Sequence, residues 1–178
     1  EAMAQAGAIA VSGANRGIGA GIAIELARRG FTVACLSRTG NLPDMVDGVP
    51  PERLFARRLD VTDETAAMAV LADIAATHGG LRGLVNNAGM LLTGKSEDFA
   101  TADFTRTLDT NVTSAFVMAK AAHPHSLARG GGTIVNIGSF WERLGVRYHL
   151  AYCASKAALG ALTRCLAWSL HAPVALIS

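Results

Sequence analysis

Along the chain, short unbroken apolar runs alternate with longer stretches whose apolar residues recur every three or four positions. The runs are Ala8 to Ser12, Thr32 to Leu36, Leu54 to Leu59, Leu81 to Val85, Thr133 to Ile137 and Val174 to Ile177. They are too short for buried helices and mostly lack polar alternation, as parallel strands covered on both faces do. The periodic stretches predict helices. Ile18, Ile22 and Leu26 step by four until Gly30 stops them. A second helix begins near Asp63, buries Met68, Leu71, Ala72 and Ala75, and ends at Gly79-Gly80. A long third covers roughly 102–122 and is stopped by Pro124, and a fourth runs from Tyr152 to about Leu170. The segment from Ser37 to Arg53 carries Gly40, Pro43, Gly48, Pro50 and Pro51, which predicts a mostly irregular crossover.

Strands alternating with helices predict βαβ units. Right-handed crossovers then give an α/β fold, a doubly wound parallel sheet of Rossmann type with helices on both faces. Neither repeat nor linker divides the 178 residues, so one domain over 1–178 is expected.

Composition narrows the function. Half the residues are apolar (51%) and only 17% are charged, which suits a filled core and not a disordered chain. The net charge is +2 without a dense Lys/Arg run, so neither nucleic acid nor an anionic membrane is an expected partner. Cys35, Cys153 and Cys165 are odd in number and show no C-x-x-C spacing, which argues against a disulfide framework or zinc and for a reducing cytoplasm. The opening residues lack the basic and apolar regions of a signal peptide, with Met3 a candidate start. His123-Pro124-His125 reads as a helix-ending turn, so no metal is expected.

Candidate chemistry begins at Gly13-Ala14-Asn15-Arg16-Gly17-Ile18-Gly19, between the first strand and the first helix. Gly13 permits a tight turn, Gly17 lets the backbone approach a phosphate, and Gly19 lets helix and sheet pack closely. The unpaired N–H groups of the first helical turn then face a pyrophosphate. In an NAD site an acidic residue about 20 positions on binds the ribose 2′-hydroxyl. Here that position is Ser37, followed by Arg38, and Arg16 lies inside the glycine loop. A guanidinium binds a 2′-phosphate through paired hydrogen bonds where a carboxylate would repel it, so the expected cofactor is NADP(H), with NAD(H) second. Tyr152 and Lys156, four apart on a helix, share a face; an ammonium beside a phenol favours the phenolate and tunes a general acid/base.

Ser12-Gly13-x-x-x-Gly17-Ile18-Gly19, Asn86-Asn87-Ala88-Gly89, Ser139 and Tyr152-x-x-x-Lys156, in this order, resemble the short-chain dehydrogenase/reductase family. The resemblance covers essentially the whole chain, with Asn111 28 residues before Ser139 and Ser12 in place of the usual Thr. It implies that Tyr152 exchanges the proton with the substrate oxygen and that Lys156 assists it and binds the nicotinamide ribose. It implies that Ser139 hydrogen-bonds the substrate oxygen and that Asn111 holds a relay water. Asp60 and Val61 would contact the adenine, and Asn87, Ala88 and Gly89 would line the cofactor groove. The implied substrate is a ketone or secondary alcohol, 3-oxoacyl thioesters included, with Trp141, Leu144, Tyr148 and His149 as pocket candidates. His149 reads equally well as surface, and Cys153 as core packing. The family also implies a homo-oligomer, tetramer or dimer, packed through the two long helices. A substrate-covering segment and a last strand are implied beyond Ser178, and His171-Ala172-Pro173 is a shorter connection than the family usually has. The rival reading is a non-catalytic NADP(H)-binding sensor or scaffold.

Overall fold

The computed structural model describes residues 7–44, 46–170 and 174–177. Six strands form one parallel sheet: β1 (Ala8–Ser12), β2 (Thr32–Ser37), β3 (Leu54–Arg58), β4 (Leu81–Asn86), β5 (Thr133–Ile137) and β6 (Val174–Ile177). Their spatial order is β3-β2-β1-β4-β5-β6, so the chain winds outward from β1 in one direction and then returns to wind in the other. The direction changes between β1 and β4, where the crevice beyond the strand ends is open to a ligand. The apolar runs become strands because every β1 residue is buried, as are all but the first of β2.

The helices are α1 (Gly17–Arg28), α2 (Glu64–His78), α3 (Thr101–Leu108), α4 (Ser114–Ala128) and α5 (Leu150–Ser169). One core joins Ala8, Ala10, Leu36 and Leu84 of the sheet to Leu71 and Ile74 of α2, Met118 of α4 and Leu166 of α5. The other joins Ile9, Val11, Val33 and Cys35 to Ala23 and Ala27 of α1. Alternate residues of one strand thus feed opposite faces, as pleating requires. Burial in this second core pushes the Cys35 thiol up to about 12, so it behaves as an apolar filler.

Four details depart from the sequence pattern. The buried stripe of α1 is Gly19, Ala20, Ala23 and Ala27, while Ile18 is 69% exposed. Only small residues fit there, because α1 lies so close to the sheet. Met68, expected in the core, is 53% exposed; α2 buries Ala67, Leu71, Ile74 and Ala75 instead. Pro124 does not stop α4, which continues to Ala128 around it. Proline there removes one backbone donor, a loss placed on the exposed side of the helix. The third predicted helix is two, α3 and α4, joined by a π turn at Asp109–Thr113. The connection 171–173 lies outside the described residues. As expected, 37–53 is largely irregular, with one 3₁₀ turn at Pro51–Arg53.

Candidate active site

The loop from β1 to α1 is set by two left-handed glycines, Gly13 (φ +65°) and Gly17 (φ +59°), a conformation side chains resist. A Cβ on Gly17 would meet nothing within 4 Å, so this backbone faces open space. A Cβ on Gly19 would stand 2.4 Å from both the Gly13 carbonyl oxygen and Asn87 Nδ2, which leaves no room for one. Arg16, at the N-cap of α1, supplies no side-chain cap, and the first turn holds no acidic residue. The helix N-terminus therefore offers its amide groups and dipole to an anion.

Sequence reasoning gave little weight to Ser12, whose hydroxyl proves to be a hub. It is buried, and its Oγ accepts hydrogen bonds from the backbone N–H groups of Asn87 and Ala88, each at 3.0 Å. Asn87 Nδ2 returns a bond to the Ser12 carbonyl at 3.0 Å. The glycine loop and the Asn86-Asn87-Ala88-Gly89 loop are thereby locked side by side. Ser12→Ala leaves two N–H groups without this acceptor and should destabilise the fold by about 2 kcal/mol, with Ser12→Thr retaining most of the stability. Denaturant midpoints check this; an unchanged midpoint for alanine would remove the hub role.

Gly13, Asn15, Arg16, Gly17, Ser37, Arg38, Asp60, Val61, Asn87, Ala88 and Gly89 all line one cleft of about 980 Å³. Met90, Thr105 and Arg106 extend its wall. Ile18, on the exposed side of the first helical turn, and the buried Gly19 are not part of this lining. Arg16 and Arg38 are exposed, whereas Ser37 is buried, its Oγ accepting from the Gly40 N–H at 3.0 Å. Asp60 Oδ1 accepts from Thr62 N (3.0 Å) and Oγ1 (2.7 Å). The backbone bond first, then the hydroxyl and the nearby Arg38, hold this carboxyl below the usual carboxylate range. Size, left-handed backbone and uncapped amides fit a dinucleotide.

A second cluster gathers around α5. Tyr152 and Lys156 are one turn apart, with Lys156 Nζ 5.6 Å from the Tyr152 ring centroid. Lys156 is buried, and its Nζ donates to the Ile137 carbonyl at 2.7 Å. Burial pushes its pKa down. Ser139 caps the 3₁₀ turn Phe140–Arg143, its Oγ accepting the Trp141 N–H at 3.2 Å. The Trp141 ring stands edge-on to Tyr152, with centroids 5.7 Å apart. Asn111 lies in the π turn and is not a helix cap. Its Nδ2 donates to the Met90 carbonyl and to Ser155 Oγ, both at 2.9 Å, and its Oδ1 accepts from Met90 N at 2.8 Å. Ser155 Oγ in turn donates to the Tyr152 carbonyl at 2.7 Å. Asn111 thus ties the wall of the cleft to the helix bearing Tyr152. Its insertion as a π turn is a common local device at functional sites. Cys153 is partly exposed and lines a second cleft, not the core.

Beneath both clusters, Asn86 Nδ2 donates to Asn136 Oδ1 and Asn136 Nδ2 to Thr163 Oγ1, each at 2.9 Å. Asn136 is fully buried, so this chain of amides joins β4, β5 and α5 inside the core. The sequence reading missed it, because an asparagine within a strand carries no signal of its partner.

Residues 7–175 match the family model described as short chain dehydrogenase. The chain belongs to the short-chain dehydrogenase/reductase family. It is 33% identical over 157 residues to the NAD-dependent glycerol dehydrogenase of Listeria innocua, covering 88% of this chain and 62% of that protein. It is 36% identical over 166 residues to the gluconate 5-dehydrogenase of Gluconobacter oxydans, covering 90% and 65%. A solved short-chain dehydrogenase from Streptomyces avermitilis superposes with a TM-score of 0.88 at 33% identity, covering 97% of this chain and 64% of that one. The chain thus spans under two thirds of the length of these relatives. Both curated relatives carry the name of a dehydrogenase. No described helix is long and apolar enough to cross a membrane.

Proposed function

We propose that this protein reduces a ketone, or oxidises the matching secondary alcohol, with NADP(H), Tyr152 acting as general acid/base. The observation that carries this is Tyr152 and Lys156 one turn apart on α5, with Asn111 joined to Ser155 in that turn and through Met90 to the cleft, and Ser139 joined to Trp141, whose ring meets Tyr152. The bound nicotinamide supplies or accepts the hydride. The chain's own groups do the rest. Tyr152 hands its phenolic proton to the carbonyl oxygen as negative charge develops there. The Ser139 hydroxyl, already accepting from Trp141 N, has its own hydrogen left to donate to the same oxygen. The Lys156 ammonium favours the phenolate left after transfer. The side-chain amide of Asn111 is taken up by Met90 and Ser155.

Gly13, Asn15, Arg16 and Gly17, with the backbone N–H groups of Ile18 and Gly19 in the first turn of α1, would hold the pyrophosphate, Asp60 and Val61 the adenine, and Asn87, Ala88 and Gly89 the groove between. Arg38 after β2 and Arg16 in the glycine loop both line the cleft and favour the 2′-phosphate; no carboxylate occupies the end of β2. Arg38→Glu should therefore weaken NADPH binding by about tenfold to hundredfold, with NADH affinity unchanged or improved. Direct titration of the two coenzymes decides it, and equal or tighter NADH binding by the parent protein would overturn the choice. The exposed faces of α4 and α5 carry Phe116, Ala157, Ala161 and Trp168, the last 85% exposed, and suit packing against a second copy in a dimer or tetramer. A reducing cytoplasm suits the free cysteines.

A further inference from the structure

Trp141 sits between two groups the reaction needs and belongs to neither in the reading above. Its backbone N–H bonds Ser139 Oγ at 3.2 Å, and its indole meets the Tyr152 ring at 5.7 Å with the planes 88° apart. On its other side the His149 ring lies at 4.7 Å and 62°. His149 is itself fixed, because its Nδ1 lies 2.8 Å from the Arg147 carbonyl. A carbonyl only accepts, so Nδ1 carries a hydrogen toward it. The order Arg147 carbonyl, His149, Trp141, Tyr152 forms a continuous buttress along the segment between the end of β5 and the first turn of α5.

The two ring contacts have the edge-to-face geometry in which a positive ring edge meets a negative face. Such a contact, backed on the far side by His149, limits the swing of the Tyr152 ring about χ1, the torsion that moves its hydroxyl; rotation about χ2 leaves that oxygen on the axis. Tyr152 is only half-buried, so its own helix does not by itself fix where the phenol points. Ser139 is oriented by the same residue through the backbone. One residue therefore sets the relative position of the two groups that must meet a single substrate oxygen.

We infer that Trp141 is a positioning residue for Tyr152, its indole buttressed by His149 and holding the phenol in register with the Ser139 hydroxyl. This rests on the reading of Tyr152 as the general acid/base. Replacing the side chain leaves the backbone bond to Ser139 in place, so substitutions at 141 isolate the ring contact. In the full-length protein, Trp141→Ala should lower kcat by about tenfold to hundredfold, the range that misplacement of a catalytic group produces, with the coenzyme Kd unchanged. Trp141→Phe, which keeps an aromatic edge, should restore most of kcat. Trp141→Leu keeps apolar bulk without the edge; it should behave as alanine does and carries the test if alanine unfolds. A rise in KM with kcat intact would make Trp141 a mere wall of the pocket and overturn the inference, as would leucine matching phenylalanine.

A readout independent of turnover separates this inference from the reading beneath it. Tyr148 and Tyr152 are the two tyrosines of these 178 residues, and subtracting the titration of a Tyr152→Phe variant isolates the Tyr152 phenolate from every other tyrosine of the protein. Trp141→Ala should move the midpoint of that titration, and Trp141→Phe should not. If no carbonyl or alcohol is turned over by the parent protein, the reading of function fails, and this titration still decides the ring contact. An unmoved midpoint in the alanine variant overturns it.

Discussion

Tyr152→Phe should lower turnover by about 10³-fold, within the range that a positioned proton donor contributes, while the protein folds and binds coenzyme as before. The expectation follows from the geometry around that ring. Its hydroxyl is the only part removed, so the edge contact with Trp141 and the approach of the buried Lys156 ammonium both remain. Packing at α5 is likewise unaffected, because Ser155 holds the Tyr152 backbone carbonyl and not its side chain. Steady-state rates with a carbonyl panel, beside coenzyme titration and thermal melting of the same variant, provide the check. Turnover comparable to the parent's would remove Tyr152 from the reaction. A parent protein that binds NADPH yet turns over no substrate would favour the sensor or scaffold reading.

The second large effect is expected at Gly19. Its missing Cβ would lie 2.4 Å from the Gly13 carbonyl oxygen and 2.4 Å from Asn87 Nδ2. The first of these is backbone, which cannot swing aside as a flexible side-chain tip does. Gly19→Ala must therefore push α1 off the sheet, at a cost of about 1–3 kcal/mol or more. Because α1 presents the amides that face the cleft, coenzyme affinity should fall with stability. Gly21 offers the control within the same helix. A Cβ there meets nothing within 4 Å and its φ is not left-handed, so Gly21→Ala should stabilise by about 0.5–1 kcal/mol. Denaturant unfolding of the two variants should thus give opposite signs. A Gly19→Ala protein as stable as the parent would mean that α1 is not held so close to the loop.

The contrast between these glycines shows what a sequence conceals. Their place between a strand and a helix distinguishes Gly13, Gly17 and Gly19 from the rest, and a Rossmann-type fold follows from strands alternating with helices. The strands were legible because a strand buried on both faces is a run of apolar residues with no competing pattern. Helix faces were less so. Ile18 and Met68 look like core residues by period, yet both are exposed: the close approach at Gly19 admits small residues of α1, and α2 turns Ala67, Leu71, Ile74 and Ala75 inward instead. The π turn left no trace in the sequence. Nothing in Asp109-Thr110-Asn111-Val112-Thr113 differs from an ordinary helix until Asn111 is seen holding Met90 and Ser155. Pro124 announced a stop that α4 ignores. A family pattern gathers candidate site residues far apart in the chain, whereas the contacts of Ser12 and Trp141 show only in the folded structure.

The buried amides of Asn86 and Asn136 carry a further consequence, one for folding. Parallel strands rich in Val, Ile and Ala slide past one another at little cost, since one apolar neighbour is much like the next. Asn136 breaks that degeneracy. A one-residue slip of β5 would turn its amide to the opposite face of the sheet. Asn86 and Thr163 would then lose their partner in the core, where an unmet polar group costs about 1–3 kcal/mol. In the native alignment β5 pairs Asn136 with Asn86 itself. The amide pair works as a key cut for one alignment of the sheet, and Thr163 extends that lock to α5, the helix that bears Tyr152.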